Sequence, residues 1–149
     1  MDLAALIIAI LALVVSVIVP IIEDRRERKI NKINLESEFY KEIYKEHLIK
    51  LIPNARKYIG FTESGRLRDT EELREELNKL RQDSLYFLYS DKEYYKELRR
   101  LTQGLEDYLI NSEEKIYTSI EEQRQVFKEI QKGITELYTH ISNNYLGNM

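Results

Sequence analysis

Hydrophobic positions are distributed along this chain in two ways. In residues 3–22 they are nearly unbroken, 18 apolar residues out of 20, with only Ser16 and Pro20 intervening. After residue 22 they recur every three or four positions among charged residues, which is the spacing of an amphipathic helix. Strand-like alternation is absent, and only two prolines and five glycines punctuate the chain. The expected fold is therefore all-α: one N-terminal transmembrane helix over residues 1–22, then a cytoplasmic helical bundle of about four helices over residues 23–149. At about 1.5 Å rise per residue the uncharged run spans roughly 30 Å, the hydrocarbon thickness of a bilayer.

The spacing places the four helices as follows. The first continues from the span through residue 52, with Ile33, Ser37, Tyr40, Tyr44, His47 and Leu51 on its seam, Ile43 and Leu48 broadening it, and Pro53 kinking or ending it. A short helical piece over residues 55–61 leads to the turn sequence TESGRLRD, residues 62–69. Asp69 and Glu72 have capping-box spacing and open the second helix, which runs to about Tyr89 with Leu73, Leu77, Leu80 and Phe87 inward. Ser90 and Glu93 open the third, with Tyr94, Leu98, Leu101, Leu105 and Tyr108 inward. After a third such spacing, Asn111 and Glu114, the last helix carries a heptad seam of Ile116, Ile120, Gln123, Phe127, Ile130, Ile134, Leu137 and Ile141. That seam serves contacts within the bundle or between chains.

The flanks give the span a direction. No Lys or Arg precedes it, whereas Arg25, Arg26, Arg28, Lys29 and Lys32 follow at once. The positive-inside rule then puts the N-terminus outside and the bundle in the cytoplasm, as a single-pass protein of the cell (inner) membrane. The same cations suit anionic lipid head groups. Within the span, Ala5, Ala9, Ala12 and Ser16 fall on one stripe, which allows close helix packing and a homo-oligomer.

Charge and composition mainly remove possibilities. Beyond residue 22 there are 23 basic and 25 acidic residues, so no footprint for a nucleic acid polymer appears. The absence of Cys excludes disulfides, thiol nucleophiles and Cys-based zinc sites. No phosphate-binding glycine loop or catalytic motif occurs. His47 and His140 lack the Glu three positions earlier that a di-iron bundle needs, since Tyr44 and Leu137 stand there. The expectation is a non-enzyme with no catalytic residue, no metal and no cofactor.

Tyrosine is over-used, 11 residues against four Phe and no Trp. Its densest stretch is LYFLYSDKEYY, residues 85–95. Tyr86, Tyr89, Lys92, Tyr94 and Tyr95, with Arg66, Arg68, Arg99 and Arg100, make a candidate pocket for an anionic nucleotide. A short span joined to a cytosolic sensing domain resembles, in layout, small membrane-anchored effectors of bacterial phage-defence signalling. The resemblance implies a nucleotide-sensing domain that alters packing of the spans, as in an ion channel. The alternative is an anchored adaptor that recruits a protein partner through its bundle, and it predicts an exposed apolar groove.

Overall fold

The computed structural model describes residues 20–28, 30, 31, 34, 35 and 37–147. The chain divides into two compact units, Met1–Glu38 and Phe39–Met149. In the first, the described residues are helical, residues 20–28 are exposed, and Arg28 pairs with Asp24 at 2.9 Å.

In the second unit, helical residues 39–43 pass into a π-helix, Tyr44–Leu51, and then into α1, Ile52–Arg56. Two short strands follow, β1 (Gly60–Phe61) and β2 (Leu67–Arg68), paired antiparallel with Gly60 opposite Arg68 and Phe61 opposite Leu67. Next come α2 (Glu71–Asp83), α3 (Phe87–Ser90), α4 (Lys92–Glu113) and α5 (Ile120–Gly147). The centre is the antiparallel pair α4 and α5. Leu98, Leu101, Leu105 and Leu109 face Val126, Ile130, Ile134, Leu137 and Ile141, all buried. The helices approach closely at Gly133, where an added Cβ would lie 3.0 Å from a Leu105 methyl. Leu73, Leu77 and Leu80 of α2 complete this core with Leu48, Ile52 and Ala55.

Among the described residues, no helix is long and apolar enough to cross a membrane. The longer helices set a charged face opposite an apolar stripe; in α4, Lys92, Glu93, Lys96, Arg99 and Arg100 are exposed where Tyr94, Leu98 and Leu101 are buried. This corrects the expected fold class and overturns the single-pass membrane placement, with its outside N-terminus and cytoplasmic bundle, and the ion-channel reading. The apolar run 3–22 lies outside the described residues except for Pro20, Ile21 and Ile22. The all-α expectation also gives way to a helical fold carrying one small antiparallel ladder. The ladder extends through an isolated bridge from Arg66 to Ile116.

Several helix boundaries moved for identifiable reasons. Asp69 does not cap α2: its φ is +60°, in the left-handed region that an Asp side chain tolerates, and its carboxylate pairs with Arg68 at 3.5 Å. The N-cap position belongs to Thr70, fully buried, whose hydroxyl donates to Glu113. Asp91, not Ser90, caps α4 by accepting from the Tyr94 N–H at 3.1 Å. Asn111 lies inside α4, donating to the Asp107 carbonyl at 2.7 Å. The capping box of α5 is Ser119 with Glu122: the Glu122 N–H donates to Ser119 Oγ at 3.2 Å, and the Ser119 N–H to Glu122 Oε2 at 3.1 Å.

The π-helix moves the apolar phase of the first segment. An unbroken α-helix would centre its buried face on Tyr40, Tyr44, His47 and Leu51, with Ile43 and Leu48 at the edges. The buried residues are instead Tyr40, Ile43, His47, Leu48, Ile52 and Ala55, with a five-residue step from Ile43 to Leu48. The Ile52 N–H donates to the His47 carbonyl, a π-type i to i+5 bond. Pro53 ends this register because it has no N–H to continue the ladder.

Candidate functional site

Three places bring chemically distinct side chains together. The first is an aromatic cluster at the α4 N-terminus. Tyr40 stacks on Phe87 at 4.4 Å between centroids and meets Tyr94 edge-on at 4.8 Å. Tyr94 in turn stacks on His140 at 4.8 Å. Asp91 ties the cluster to the backbone: one carboxylate oxygen caps α4 and the other accepts from the Tyr40 hydroxyl at 3.3 Å. His140 Nε2 lies 3.1 Å from the Tyr94 carbonyl oxygen. The Tyr94 hydroxyl is buried with no hydrogen-bond partner among the described residues. Burial pushes its pKa well above the usual phenol value, and the nearby Tyr40 and Asp91 add to the rise.

The second is a small cavity of about 220 Å³ beside the π-helix, lined by Phe39, Glu42, Ile43, Glu46, His47 and Asp83. His47 is buried there, with Nε2 at 3.0 Å from Asp83 Oδ2. Glu46 is held below the usual carboxylate range by its hydrogen bond from Lys50, 2.9 Å away. Among the described residues no group of three His, Cys, Asp or Glu side chains is placed to hold a metal ion.

The third is a groove of about 980 Å³ where the end of α4, the 114–119 connection and the start of α5 meet. Tyr108, Ile116, Tyr117 and Val126 supply its apolar lining; Glu114, Lys115 and Glu122 supply its charge. The β-hairpin fixes one wall. The Tyr117 N–H donates to the Gly65 carbonyl at 2.9 Å, and Phe61 meets Tyr117 and Phe127 edge-on at 5.6 and 5.2 Å. Gly65 has φ +78°, and an added Cβ would lie 2.3 Å from the Tyr117 carbonyl oxygen, so glycine is required on both counts. Partial burial raises the Tyr108 pKa.

The candidate residues separate under this geometry. Ala5, Ala9, Ala12, Ser16, Lys29 and Lys32 lie outside the described residues. Arg25, Arg26 and Arg28 are exposed. Tyr86 stacks on Phe39 at 4.5 Å, Tyr94 and Tyr95 are buried, and Tyr89 and Lys92 are exposed. Arg66 and Arg68 belong to the hairpin, with Arg68 in a depression lined by Tyr58, Asp69, Glu71, Glu72 and Glu75. Arg99 is exposed, and Arg100 is bidentate to Glu97 at 2.6 and 2.8 Å in a separate α4–α5 depression. Tyr86 and Tyr94 thus join the aromatic cluster and Tyr95 is buried, while Tyr89 stays exposed and these arginines line other surfaces.

Along the expected seam, Ile130, Ile134, Leu137 and Ile141 are buried, Phe127 is half-buried, and Gln123 donates to the Tyr117 carbonyl at 3.1 Å. Ile116 and Ile120 remain 55% and 68% exposed. Tyr138 was missed by sequence reasoning: its hydroxyl donates to the Leu48 carbonyl across the core. The signals for it were Pro53 and the five-residue step from Ile43 to Leu48.

No protein-family model, no curated protein and no solved structure matches this chain.

Proposed function

We infer that this chain is a non-enzymatic helical binding module that recruits a protein partner by seating a partner helix in the α4–α5 corner groove. The supporting observation is the broken fate of the α5 seam. Its C-terminal positions fill the core, while Ile116 stands exposed in the lining of the largest groove described above and Ile120, the first residue of α5, is exposed four residues further on. An amphipathic helix laid into such a groove buries its own apolar anchors at three- and four-residue spacing. Fully burying one isoleucine is worth roughly 1.5–3 kcal/mol, so the two side chains supply part of the binding energy and the groove lining and the partner's own anchors supply the rest. Glu114 and Glu122 outnumber Lys115 around the groove and favour a partner helix with basic residues flanking its apolar stripe.

The test is photo-crosslinking from positions 116 and 120 of the full chain, with position 89 as an exposed aromatic control. Each crosslinked segment is then synthesised and its affinity measured by fluorescence anisotropy. The expected result is an amphipathic helical segment whose affinity falls at least tenfold in Ile120→Asp and is unchanged in Tyr89→Asp. Equal crosslinking from all three positions, or no loss of affinity in Ile120→Asp, would overturn the reading.

A further inference from the structure

The hydrogen bonding around the π-helix carries an inference separate from the corner groove. Two registers compete for one missing donor. In an α register the Ile49 carbonyl would look to the N–H of residue 53; in a π register the Leu48 carbonyl would. Residue 53 is proline and has no N–H. Either register therefore leaves one carbonyl without its ladder partner. The two orphans differ in surroundings. Ile49 is 59% exposed and lies on the solvent side of the segment, where water can reach its backbone, whereas Leu48 is fully buried. A buried unpaired carbonyl is strongly disfavoured. In the observed π register the Tyr138 hydroxyl, reaching from α5, donates to Leu48.

We propose that Tyr44–Leu51 is a two-register device whose π register is held by the Tyr138 hydroxyl on the Leu48 carbonyl. Removing that hydrogen bond releases the segment to the α register. One residue of register turns the preceding side chains by about 100° around the helix axis. That rotation withdraws His47 from Asp83 and Phe39 from its stack on Tyr86, dismantling the cavity they line. Tyr138 on α5 thereby governs a surface formed by the π-helix and α2. A ligand or partner that favours one register is felt at Tyr138, because only differential affinity for two states can shift between them.

The two histidines make the register readable in the full-length chain, since imidazole signals from His47 and His140 are told apart by His47→Gln. Tyr138→Phe keeps the ring and removes only the hydroxyl. It is expected to move the His47 imidazole signals to solvent-exposed values, leave those of His140 in place, and speed amide exchange over residues 44–52 at least tenfold. Pro53→Ala restores the N–H that the π register lacks, so adding it to Tyr138→Phe should return both readouts to wild-type values. Unchanged His47 signals in Tyr138→Phe would overturn the proposal. Failure of Pro53→Ala to restore them would overturn it too, including where Tyr138→Phe alone is poorly folded, because the hydroxyl would then be acting through packing rather than through register.

Discussion

The two ends of the α4–α5 pair are built from similar side chains and meet opposite fates. At one end, Tyr94 and Tyr95 of α4 and Ile141 of α5 are buried, and Tyr40 and Phe87 arrive from two further elements to pack on Tyr94. At the other, Ile116 leaves the helical seam for an isolated bridge to Arg66, α5 begins only at Ile120, and both isoleucines stay exposed. Among the described residues, the β-hairpin reaches that corner and contributes Phe61 to the Tyr117 and Phe127 side. Two helices create one seam between them. A third element decides whether the flank of that seam becomes core or binding surface.

The largest test of this difference compares a ring from the covered end with an isoleucine from the open one. Phe87 is fully buried and touches Phe39, Tyr40, Tyr86 and Tyr94. Phe87→Ala is expected to lose about 3–5 kcal/mol in urea unfolding. Ile120→Ala should stay within about 0.5 kcal/mol of wild type, as an exposed substitution does. A comparable loss at both would mean that the corner is ordinary core, and the binding reading would fall with it. A smaller effect is expected at the hairpin. Gly65→Ala combines a positive φ with a clash against Tyr117 and should lose about 1–3 kcal/mol. The damage should be local: amide exchange rises over residues 62–66 and 115–118 while Tyr94 and its neighbours keep their protection. Uniform loss of protection would show that the hairpin supports both ends.

The same contrast explains what was legible in the sequence. Leu98, Leu101 and Leu105 and the run from Ile130 to Ile141 were readable because long helices repeat their inward positions often enough to fix a phase. The turn at Ser64 and Gly65 was readable from its residue types. The two-residue strands were not, since so short a pairing has no alternation to detect. The π register was hidden for another reason. An α-helical reading puts Tyr44 and Leu51 at the centre of the seam with Ile43 and Leu48 at its edges, whereas Ile43, Leu48 and Ile52 are buried and Tyr44 and Leu51 only half-buried, which reveals the extra residue. Of the candidate sites, sequence showed that 85–95 is rich in tyrosine but not which rings would be covered. Tyr86 and Tyr94 went to the core because Phe39, Tyr40 and His140, distant in sequence, offered rings to stack on. The uncovered part of the α5 seam was equally invisible, because exposure depends on what fails to arrive.

The smallest expected effect lies at the covered end and has the opposite sign to the others. Tyr94 buries a hydroxyl that has no partner among the described residues. Removing it in Tyr94→Phe should leave stability at neutral pH unchanged or raise it by up to about 1 kcal/mol, because an unpaired buried donor is a net loss to the folded state. Alkaline pH separates this from a simple packing effect. The phenol is neutral when protonated, and burial raises its pKa in the folded chain above the value of 10.0 expected when exposed. The folded state therefore holds a proton that the unfolded state releases above about pH 10. The resulting stability is fully present below that pH and declines as the pH rises, at about 1.4 kcal/mol per pH unit for one proton. Tyr94→Phe should remove that share of the slope in urea midpoints measured from pH 9 to 11. Tyr108 and Tyr138, also raised by burial, leave a residual slope in the variant. Identical slopes in wild type and variant would show that the Tyr94 hydroxyl reaches water, and the covered end would then be less closed than its packing implies.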